Sequence, residues 1–290
     1  MTKQLFGTDG IRGLPGEYPL DDATLEQIGI ALGKYVVLHS QADGATPRVL
    51  LGRDTRESGP HIAARIACGL NTAGAKPVSA GVLTTPGVAW LVSRESFAAG
   101  VVISASHNPY HDNGIKLISP SGTKFPDIVE AELERSILSR TRPQPLAETS
   151  ERADQFDLEL HEDYLAGLRQ SVLPMAKLAG MKIVLDCANG AASALAPELF
   201  RSLGAVVLAM HDAPDGRNIN ADCGSLHPES MLRRVTDSGA TLGAAFDGDG
   251  DRAIFGTASG RLVNGDGVLL AAGRYLKATG RLKGKVIVSI

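Results

Sequence analysis

The segment with the most closely spaced chemically active side chains is Asp247-Gly248-Asp249-Gly250-Asp251-Arg252, which places three carboxylates within five residues. At about 4 Å separation and an effective dielectric constant of about 20, each pair of carboxylates repels by about 4 kcal/mol. The two glycines permit alternate residues of an extended loop to point toward one centre. A cation or a proton is then required, and a few oxygen ligands favour Mg²⁺, which keeps other positions for water or phosphate.

Two alternatives compete for this acidic segment. An EF-hand calcium loop starting at Asp247 would need glycine at its sixth position and glutamate at its twelfth, but Arg252 and Ala258 stand there. A solvated acidic turn stays open from the segment alone. Arg252 beside the carboxylates is better explained by a phosphate that lies on the metal.

A second candidate loop lies between Gly100 and Ser119. An apolar run at 101–103 and an apolar alternation at 115–118 flank small and polar residues, which predicts a polar loop held between two strands. Such a loop can present Ser106 and His107 in fixed positions. Ser106 by itself is typical of a turn, but near a Mg²⁺ site and followed by Lys116 it can carry a phosphoryl group.

Three shorter patterns limit the chemistry further. Phe6 to Gly13 has glycines at 7, 10 and 13 that allow close approach to a ligand, and Arg12 suits a phosphate, although an ordinary glycine-rich turn is the alternative. His107 and His111 lack the glutamate and the helix of a zinc protease pair. The nucleotide-phosphate loop Gly-x-x-x-x-Gly-Lys-Ser/Thr is absent from the sequence, so ATP is not implied.

The elements that must position these loops alternate between strand and helix along the chain. Strands are predicted near 48–52 and 77–80, with helical periodicity before, between and after them, which favours an α/β layer. A helix is predicted from Pro126 to Arg140 with Ile128, Val129, Leu133 and Ile137 on its inner side. The acidic segment follows a predicted strand at 241–246, and ligands of α/β domains tend to bind at such carboxyl ends.

The sequence also predicts domain boundaries. Residues 141–145, which include two prolines, predict a break in regular structure, and the polar stretch 146–152 predicts a linker. We expect a phosphoserine-loop unit at 1–145, a metal-binding unit at 153–257, and the start of a third, incomplete unit at 258–290. Because 286–290 resembles the first strand of a further unit, we expect this chain to be part of a longer protein.

Composition excludes several classes of function. The 290 residues include 29 basic and 32 acidic side chains, so no broad basic field exists to hold nucleic acid or an anionic membrane. No run approaches the ~18 apolar residues of a membrane span. Three cysteines without metal or redox spacing read as reduced thiols, and we expect a cytoplasmic protein.

Four segments together resemble the α-D-phosphohexomutase family, in order along essentially the whole chain. They are Phe6-Gly-Thr-Asp-Gly-Ile-Arg-Gly13, Ser104-Ala-Ser-His-Asn-Pro109, Asp112-Asn-Gly-Ile-Lys116 and Asp247-Gly-Asp-Gly-Asp-Arg252. The first is most similar to that of the family's amino-sugar members. The resemblance implies an α/β fold of consecutive three-layer α/β/α domains with mixed sheets.

The resemblance also implies a role for each matching residue. Ser106 would be the phosphorylated serine and, through its phosphate, a fourth metal ligand beside Asp247, Asp249 and Asp251. Arg252, Asn108 and Thr8 would bind phosphate. Lys116, His107 and Arg12 would line the reacting centre as charge stabilisers or acid/base groups.

The implied reaction consists of two phosphoryl transfers. Phosphoserine gives its phosphate to glucosamine 6-phosphate, and the bisphosphate intermediate reorients and returns its other phosphate, leaving glucosamine 1-phosphate for UDP-N-acetylglucosamine and peptidoglycan precursors. Such transfers need positioned and neutralised phosphate oxygens. The implied cofactor is one Mg²⁺ per site, and the implied activator is a bisphosphorylated hexose. The implied partner is a phosphorylated amino sugar. A homodimer is expected at the level of the family.

The sequence departs from the family in one respect. The family's sugar-reading Glu-x-Ser-Gly loop and its distal-phosphate loop do not occur before Ile290, so we expect weak or absent turnover from these residues alone. The alternatives are a phosphomannomutase/phosphoglucomutase and a non-catalytic Mg²⁺- and phosphate-binding fragment. An aspartyl-phosphate phosphatase with Asp247 as nucleophile is disfavoured, because Asp251 stands where such sites usually carry threonine or valine.

Overall fold

The computed structural model describes residues 5–8, 10–39, 45–139, 157–172 and 178–284. The predicted linker at 146–152 and the predicted strand at 286–290 lie outside these ranges. So does Asp9 of the first glycine-rich segment. The domain boundary between 145 and 153 therefore stays a prediction.

The first half of the chain forms a five-stranded mixed sheet with helices on both faces. Its elements are β1 (Ile11–Gly13), α1 (Asp22–His39), β2 (Arg48–Arg53), α2 (Gly59–Thr72), β3 (Lys76–Val82), α3 (Thr85–Arg94), β4 (Ala99–Ile103), β5 (Asn113–Ile118) and α4 (Asp127–Leu138). The strand order is β1-β5-β4-β2-β3, with β2 parallel to β3 and β4 and the other pairs antiparallel. Every residue of β4 is buried, as expected for a central strand covered on both faces.

The second half builds another five-stranded mixed sheet. Its elements are α5 (Leu158–Val172), β6 (Lys182–Asp186), α6 (Ala192–Ser202), β7 (Val206–Met210), α7 (Glu229–Ser238), β8 (Leu242–Phe246), β9 (Ala253–Thr257), β10 (Leu262–Val263) and α8 (Gly265–Ala278). The strand order is β10-β9-β8-β6-β7. The predicted fold class of consecutive α/β/α layers with mixed sheets is confirmed.

Four apolar clusters show how the layers pack. One cluster lies between the first sheet and α1, α2 and α4, and a second lies on the opposite face against α3 and α5. The remaining two cover the faces of the second sheet, against α6 and α7. Leu195 of α6 belongs to the same cluster as Tyr164 of α5, so α5 packs against both halves of the molecule.

The buried face of α4 differs in one residue from the sequence prediction. Ile128 of α4 was expected inside but is 78% exposed, because the inward face of α4 carries Glu130 and Glu134 with Leu133 and Ile137. The Glu134 carboxylate accepts the backbone N–H groups of Leu5 and Phe6. The inward face of α4 therefore carries buried carboxylates beside its apolar residues.

The start of the expected third unit is divided between two environments. Strand β10 pairs with β9 and so completes the second sheet, although it follows the boundary predicted after residue 257. Helix α8 has no buried residue among those described. Within the described ranges, no helix is both long enough and apolar enough to cross a membrane.

Candidate active site

Ser106 lies three residues beyond the end of β4, in a loop that is fixed by buried hydrogen bonds. It is fully buried and its φ is 53°, a left-handed conformation that non-glycine residues seldom adopt. Its backbone N–H donates to Ser104 Oγ at 2.8 Å, and Ser104 Oγ donates to Asp54 Oδ2 at 2.6 Å. The loop conformation therefore depends on a carboxylate that follows the neighbouring strand β2.

The buried side chain of Arg56 fixes the same loop. Its Nε donates to Asp54 Oδ2 at 2.8 Å, and both side chains are completely buried. The guanidinium also donates to four backbone carbonyls of the serine loop, those of Ser106, Asn108, Pro109 and Asp112. A planar group with five donors suits this task, because its fork presents several N–H groups in fixed directions.

The acidic segment after β8 meets the Ser106 side chain directly. Ser106 Oγ donates to Asp247 Oδ2 at 2.7 Å and accepts a hydrogen bond from Arg252 Nη2 at 2.8 Å. A Cβ on Gly248 would lie 2.5 Å from the Ser106 carbonyl oxygen, so only glycine lets the two loops approach this closely. The serine hydroxyl thus lies between a carboxylate and a guanidinium.

The three carboxylates converge as the sequence predicts. Oxygens of Asp247, Asp249 and Asp251 all lie within 4.8 Å of one another. Burial, followed by repulsion from Asp249, raises the pKa of Asp247 to about 6. Asp249 Oδ1 is buried and has no hydrogen-bond partner among the described residues.

Lys116 on β5 supplies the compensating positive charge. Its Nζ lies 2.7 Å from Asp249 Oδ2 and 3.5 Å from Asp251 Oδ2. Burial lowers the pKa of Lys116, but the charges and hydrogen bonds of Asp249 and Asp251 together outweigh it, so the pKa is raised. Burial raises the pKa of Asp249, but Lys116 and hydrogen bonds from hydroxyl groups together outweigh it, so the pKa of that carboxyl is lowered.

His107 and Arg12 lie on the open side of the serine. Arg252 Nη2 donates to His107 Nδ1 at 2.7 Å, and the pKa of His107 is lowered by burial and by the charges of Arg252 and Arg12. A neutral imidazole that accepts at Nδ1 fits this environment. Arg12 Nη1 donates to Asn108 Oδ1 at 3.4 Å, which places the first glycine-rich segment beside the serine loop.

Most predicted site residues therefore meet at one place, and Thr8 is the exception. Thr8 is exposed, and its carbonyl accepts a hydrogen bond from Lys124 Nζ at 3.1 Å. Within the described part of the chain, Thr8 has no hydrogen bond to another predicted site residue. The catalytic, phosphate-binding and metal-binding roles of all these residues stay predictions.

Several residues that hold the site were missed from the sequence. Arg56 and Asp54 stand directly after a predicted strand, a signal that could have marked them. Thr85 Oγ1 donates to Asp249 Oδ2 at 2.6 Å, and Asn220 Nδ2 donates to the carbonyls of Ser106 and Asn108 at 2.9 and 3.1 Å. Nothing in the local sequence around Asn220 points to these partners.

The donor set fits a divalent cation. Asp249 keeps one oxygen free while Lys116 and Thr85 occupy the other, and Asp247 is bonded to the serine hydroxyl. Three carboxylates at this spacing offer only oxygen ligands, the type that Mg²⁺ prefers. The acidic triad and the buried serine therefore lie at one site, whose oxygen donors fit a divalent cation.

The fold and this site together define a sugar-phosphate mutase architecture, and family models agree. The model for phosphoglucomutase/phosphomannomutase α/β/α domain I matches residues 3–144, and the model for domain II matches residues 162–260. The chain belongs to the phosphoglucomutase/phosphomannomutase family, as the sequence motifs predict.

Curated relatives narrow the likeness within that family. A phosphoglucosamine mutase of Solibacter usitatus is 50% identical over 100% of this chain, and one of Koribacter versatilis is 47% identical over 99%. The chain spans only 63% and 62% of the lengths of these two relatives. A solved phosphoglucomutase/phosphomannomutase family structure from Burkholderia thailandensis is 27% identical with a TM-score of 0.76, covering 96% of this chain and 60% of that one.

Proposed function

We propose that this chain is the phosphoserine and metal half of a phosphoglucosamine mutase, which interconverts glucosamine 6-phosphate and glucosamine 1-phosphate. The observation that carries the proposal is the Ser106 hydroxyl, bonded at once to Asp247 and Arg252 beside two further carboxylates. The two most similar relatives described above support the choice of sugar. The products would feed UDP-N-acetylglucosamine and peptidoglycan precursor synthesis.

The residues divide the work as follows. Asp247, Asp249 and Asp251, together with a phosphate on Ser106, would hold Mg²⁺, which neutralises phosphate oxygens when it is bound. Arg252 donates to Ser106 Oγ and so stands where it can neutralise a phosphate on that oxygen. Burial of Ser106 excludes water that would otherwise hydrolyse a phosphoserine.

Lys116, His107 and Arg12 would act on the transferred group or on the sugar. Lys116 holds its positive charge against Asp249, so it stabilises negative charge near the metal ligands. His107 is held neutral with its Nδ1 accepting from Arg252, which leaves Nε2 as the ring nitrogen able to exchange a proton with substrate. Asn108 is placed by Arg12, and a phosphate-binding role for Asn108 and Thr8 rests on the family resemblance alone.

The wider setting is proposed with the activity. A bisphosphorylated hexose would activate the enzyme by phosphorylating Ser106, and a homodimer is expected at the level of the family. Three cysteines with free thiols are in keeping with the reducing cytoplasm, where amino-sugar phosphates are processed. Turnover by these residues alone is expected to be weak, as the sequence predicts.

The transfer of phosphate from a bisphosphate to Ser106 can be tested on this chain by itself. With Mg²⁺ and a hexose 1,6-bisphosphate, we expect one phosphate on Ser106, detected by mass spectrometry of the intact chain and its peptides. Ser106→Ala should abolish the incorporation, since it removes the oxygen that accepts the phosphate. Ser121→Ala, which changes an exposed turn serine, is the matched control and should keep it.

The same experiment separates the alternatives. Phosphate on an aspartate or absence of incorporation by a folded chain would contradict the proposal and favour a phosphatase or a non-catalytic fragment. In the full-length protein, rates on glucosamine, glucose and mannose phosphates distinguish a phosphoglucosamine mutase from a phosphomannomutase/phosphoglucomutase. A preference for mannose or glucose phosphate would overturn the choice of sugar while leaving the phosphoserine in place.

A further inference from the structure

A second cluster of metal-ligating side chains lies in the second half of the molecule, separate from the acidic triad. Asp186 ends β6, His211 follows β7, and Cys223 precedes a short 3₁₀ turn (Gly224–Leu226). One ligand atom from each lies within 4.8 Å of the others. Asp186 and Cys223 are buried, whereas the His211 side chain is 31% exposed.

The ring nitrogen of His211 lacks the partner that its position demands. His211 Nδ1 lies 3.0 Å from Asp186 Oδ1, yet the angle is not that of a hydrogen bond, and the buried nitrogen has no hydrogen-bond partner among the described residues. A buried polar atom without a partner is destabilising by about 1–3 kcal/mol. A neutral imidazole nitrogen and a carboxylate oxygen are both metal ligands, so this pair is placed where the two atoms could bind a common cation.

Asp186 keeps coordination capacity despite its structural bonds. Its Oδ1 accepts the N–H of Ala188 at 3.0 Å, and its Oδ2 accepts the N–H of Gly224 at 3.1 Å. Each carboxylate oxygen has two lone pairs, so one on each oxygen is left. The backbone bonds hold the carboxylate in place in the manner of the outer shell around metal ligands.

The mixture of donors selects the class of metal. Mg²⁺ and Ca²⁺ take oxygen ligands, whereas nitrogen, sulfur and oxygen together suit Zn²⁺. Three protein ligands leave a fourth tetrahedral position, and the exposed side of His211 gives water access to it. We propose that Asp186, His211 and Cys223 form a zinc site that fastens the two ends of the segment 211–223.

The segment between these ligands reaches the serine loop. Its Asn220 donates to the carbonyls of Ser106 and Asn108, and its Arg217 pairs with Glu57 at 2.6 Å. A metal that joins His211 to Cys223 would hold both ends of the segment that makes these contacts. The proposed role of the metal is therefore to position this segment, and the proposal stands whether or not the proposed mutase activity is correct.

Cobalt provides a direct test, because only the proposed zinc site contains sulfur. The metal-free 290-residue chain is titrated with Co²⁺ in excess Mg²⁺, which occupies the acidic triad. We expect a thiolate-to-cobalt charge-transfer band that saturates at one equivalent and is displaced by one equivalent of Zn²⁺. Burial, then Asp186 and Asp222, raises the pKa of the Cys223 thiol to about 12, so binding must release its proton.

Variants decide which residues bind. Cys223→Ser should lose the band, whereas Cys187→Ser, which changes another buried cysteine, and Asp249→Asn in the acidic triad should keep it. His211→Asn tolerates the left-handed backbone at φ 46° and should weaken Co²⁺ binding at least about tenfold, since even outer-shell changes cost about 10–100-fold.

Three results would overturn the zinc site. The first is the absence of a thiolate band in the wild-type chain, and the second is a band that persists in folded Cys223→Ser. If Cys223→Ser does not fold, as judged by circular dichroism, the partly exposed His211 decides. Unchanged Co²⁺ affinity in His211→Asn is the third overturning result.

Discussion

Four strands of each sheet share one topology but carry different chemistry at the same place, whereas the fifth strand comes first in the chain in one half, as β1, and last in the other, as β10. In each sheet β2 or β6 pairs in parallel with both of its neighbours, and an antiparallel strand, β5 or β9, lies beyond β4 or β8. The loop after β4 presents Ser106, and the loop after the corresponding β8 presents Asp247. The fold thus brings a phosphate carrier and its counter-charges together from matching strand ends.

The corresponding strands β2 and β6 show where the halves diverge. Asp54 and Asp186 are both buried, and Oδ1 of each accepts the N–H group two residues further on. In the first half that residue is Arg56, whose guanidinium holds the serine loop; in the second half it is Ala188. The backbone of the loop with the strained serine is held by the guanidinium of Arg56, whereas the acidic loop needs glycine at position 248 to approach the serine closely.

Removal of Arg56 should have the largest effect. Arg56→Ala leaves Asp54 as a buried charge without its partner and removes one donor from each of four loop carbonyls, so we expect the free energy of unfolding to fall by about 3–5 kcal/mol. Urea unfolding measures this loss. Arg217→Ala, which breaks an exposed pair with Glu57, is the control and should have a far smaller effect, because exposed ion pairs are screened by solvent.

Arg56→Lys sharpens the same contrast. Lysine keeps the charge but lacks the planar fork, so it can satisfy only some of the carbonyls. We expect a stability between those of the wild type and Arg56→Ala, with reduced phosphate incorporation at Ser106. Wild-type stability and incorporation in Arg56→Lys would show that charge alone holds the serine loop.

The acidic loop should respond to pH and to metal through Asp247. Because the pKa of Asp247 is raised to about 6, the metal-free folded state binds more protons than the unfolded state between about pH 4 and pH 6. Its stability therefore falls as pH rises through this window, by an amount on the order of 3 kcal/mol. Mg²⁺ needs the ionised carboxylate, so its stabilising effect should be large at about pH 8 and small at about pH 5.

Thermal unfolding with and without Mg²⁺ at the two pH values measures this difference. Asp247→Asn, in which this position cannot titrate, is the matched variant and should lose the part of the pH dependence that comes from Asp247. An equal Mg²⁺-induced shift in unfolding temperature at both pH values would contradict the link between Asp247 and the metal.

The sequence predicted those features whose signals are local. Ser106, Lys116 and the three carboxylates were found because their types and spacing already suggest a metal and a phosphate, and the α/β layering follows from the alternating periodicities. Asn220 was not found, because its partners lie more than a hundred residues away in the chain. The exposure of Ile128 was missed for a related reason: the N–H groups that bind Glu134 belong to the start of the chain.

The point of contact between the two loops can be broken at one atom. A Cβ at Gly248 would lie 2.5 Å from the Ser106 carbonyl oxygen, so Gly248→Ala must push the acidic loop from the serine. We expect a loss of about 1–3 kcal/mol in stability and a marked loss of phosphate incorporation. Gly265→Ala is the control because a Cβ there meets no atom within 4 Å, and equal behaviour of the two variants would contradict the close approach.

The smallest expected effect concerns Asn220, a side chain of the second half that binds the backbone of the serine loop. Asn220→Gly keeps the left-handed backbone at φ 58° and removes only the two hydrogen bonds to the carbonyls of Ser106 and Asn108. Each bond contributes about 0.5–1.5 kcal/mol, so we expect a loss of about 1–2 kcal/mol by urea unfolding and slower phosphorylation of Ser106. Asn220→Ala adds backbone strain and should cost more. If Asn220→Gly phosphorylates Ser106 at the wild-type rate, Arg56 and Asp54 suffice to hold the backbone of the serine loop without Asn220.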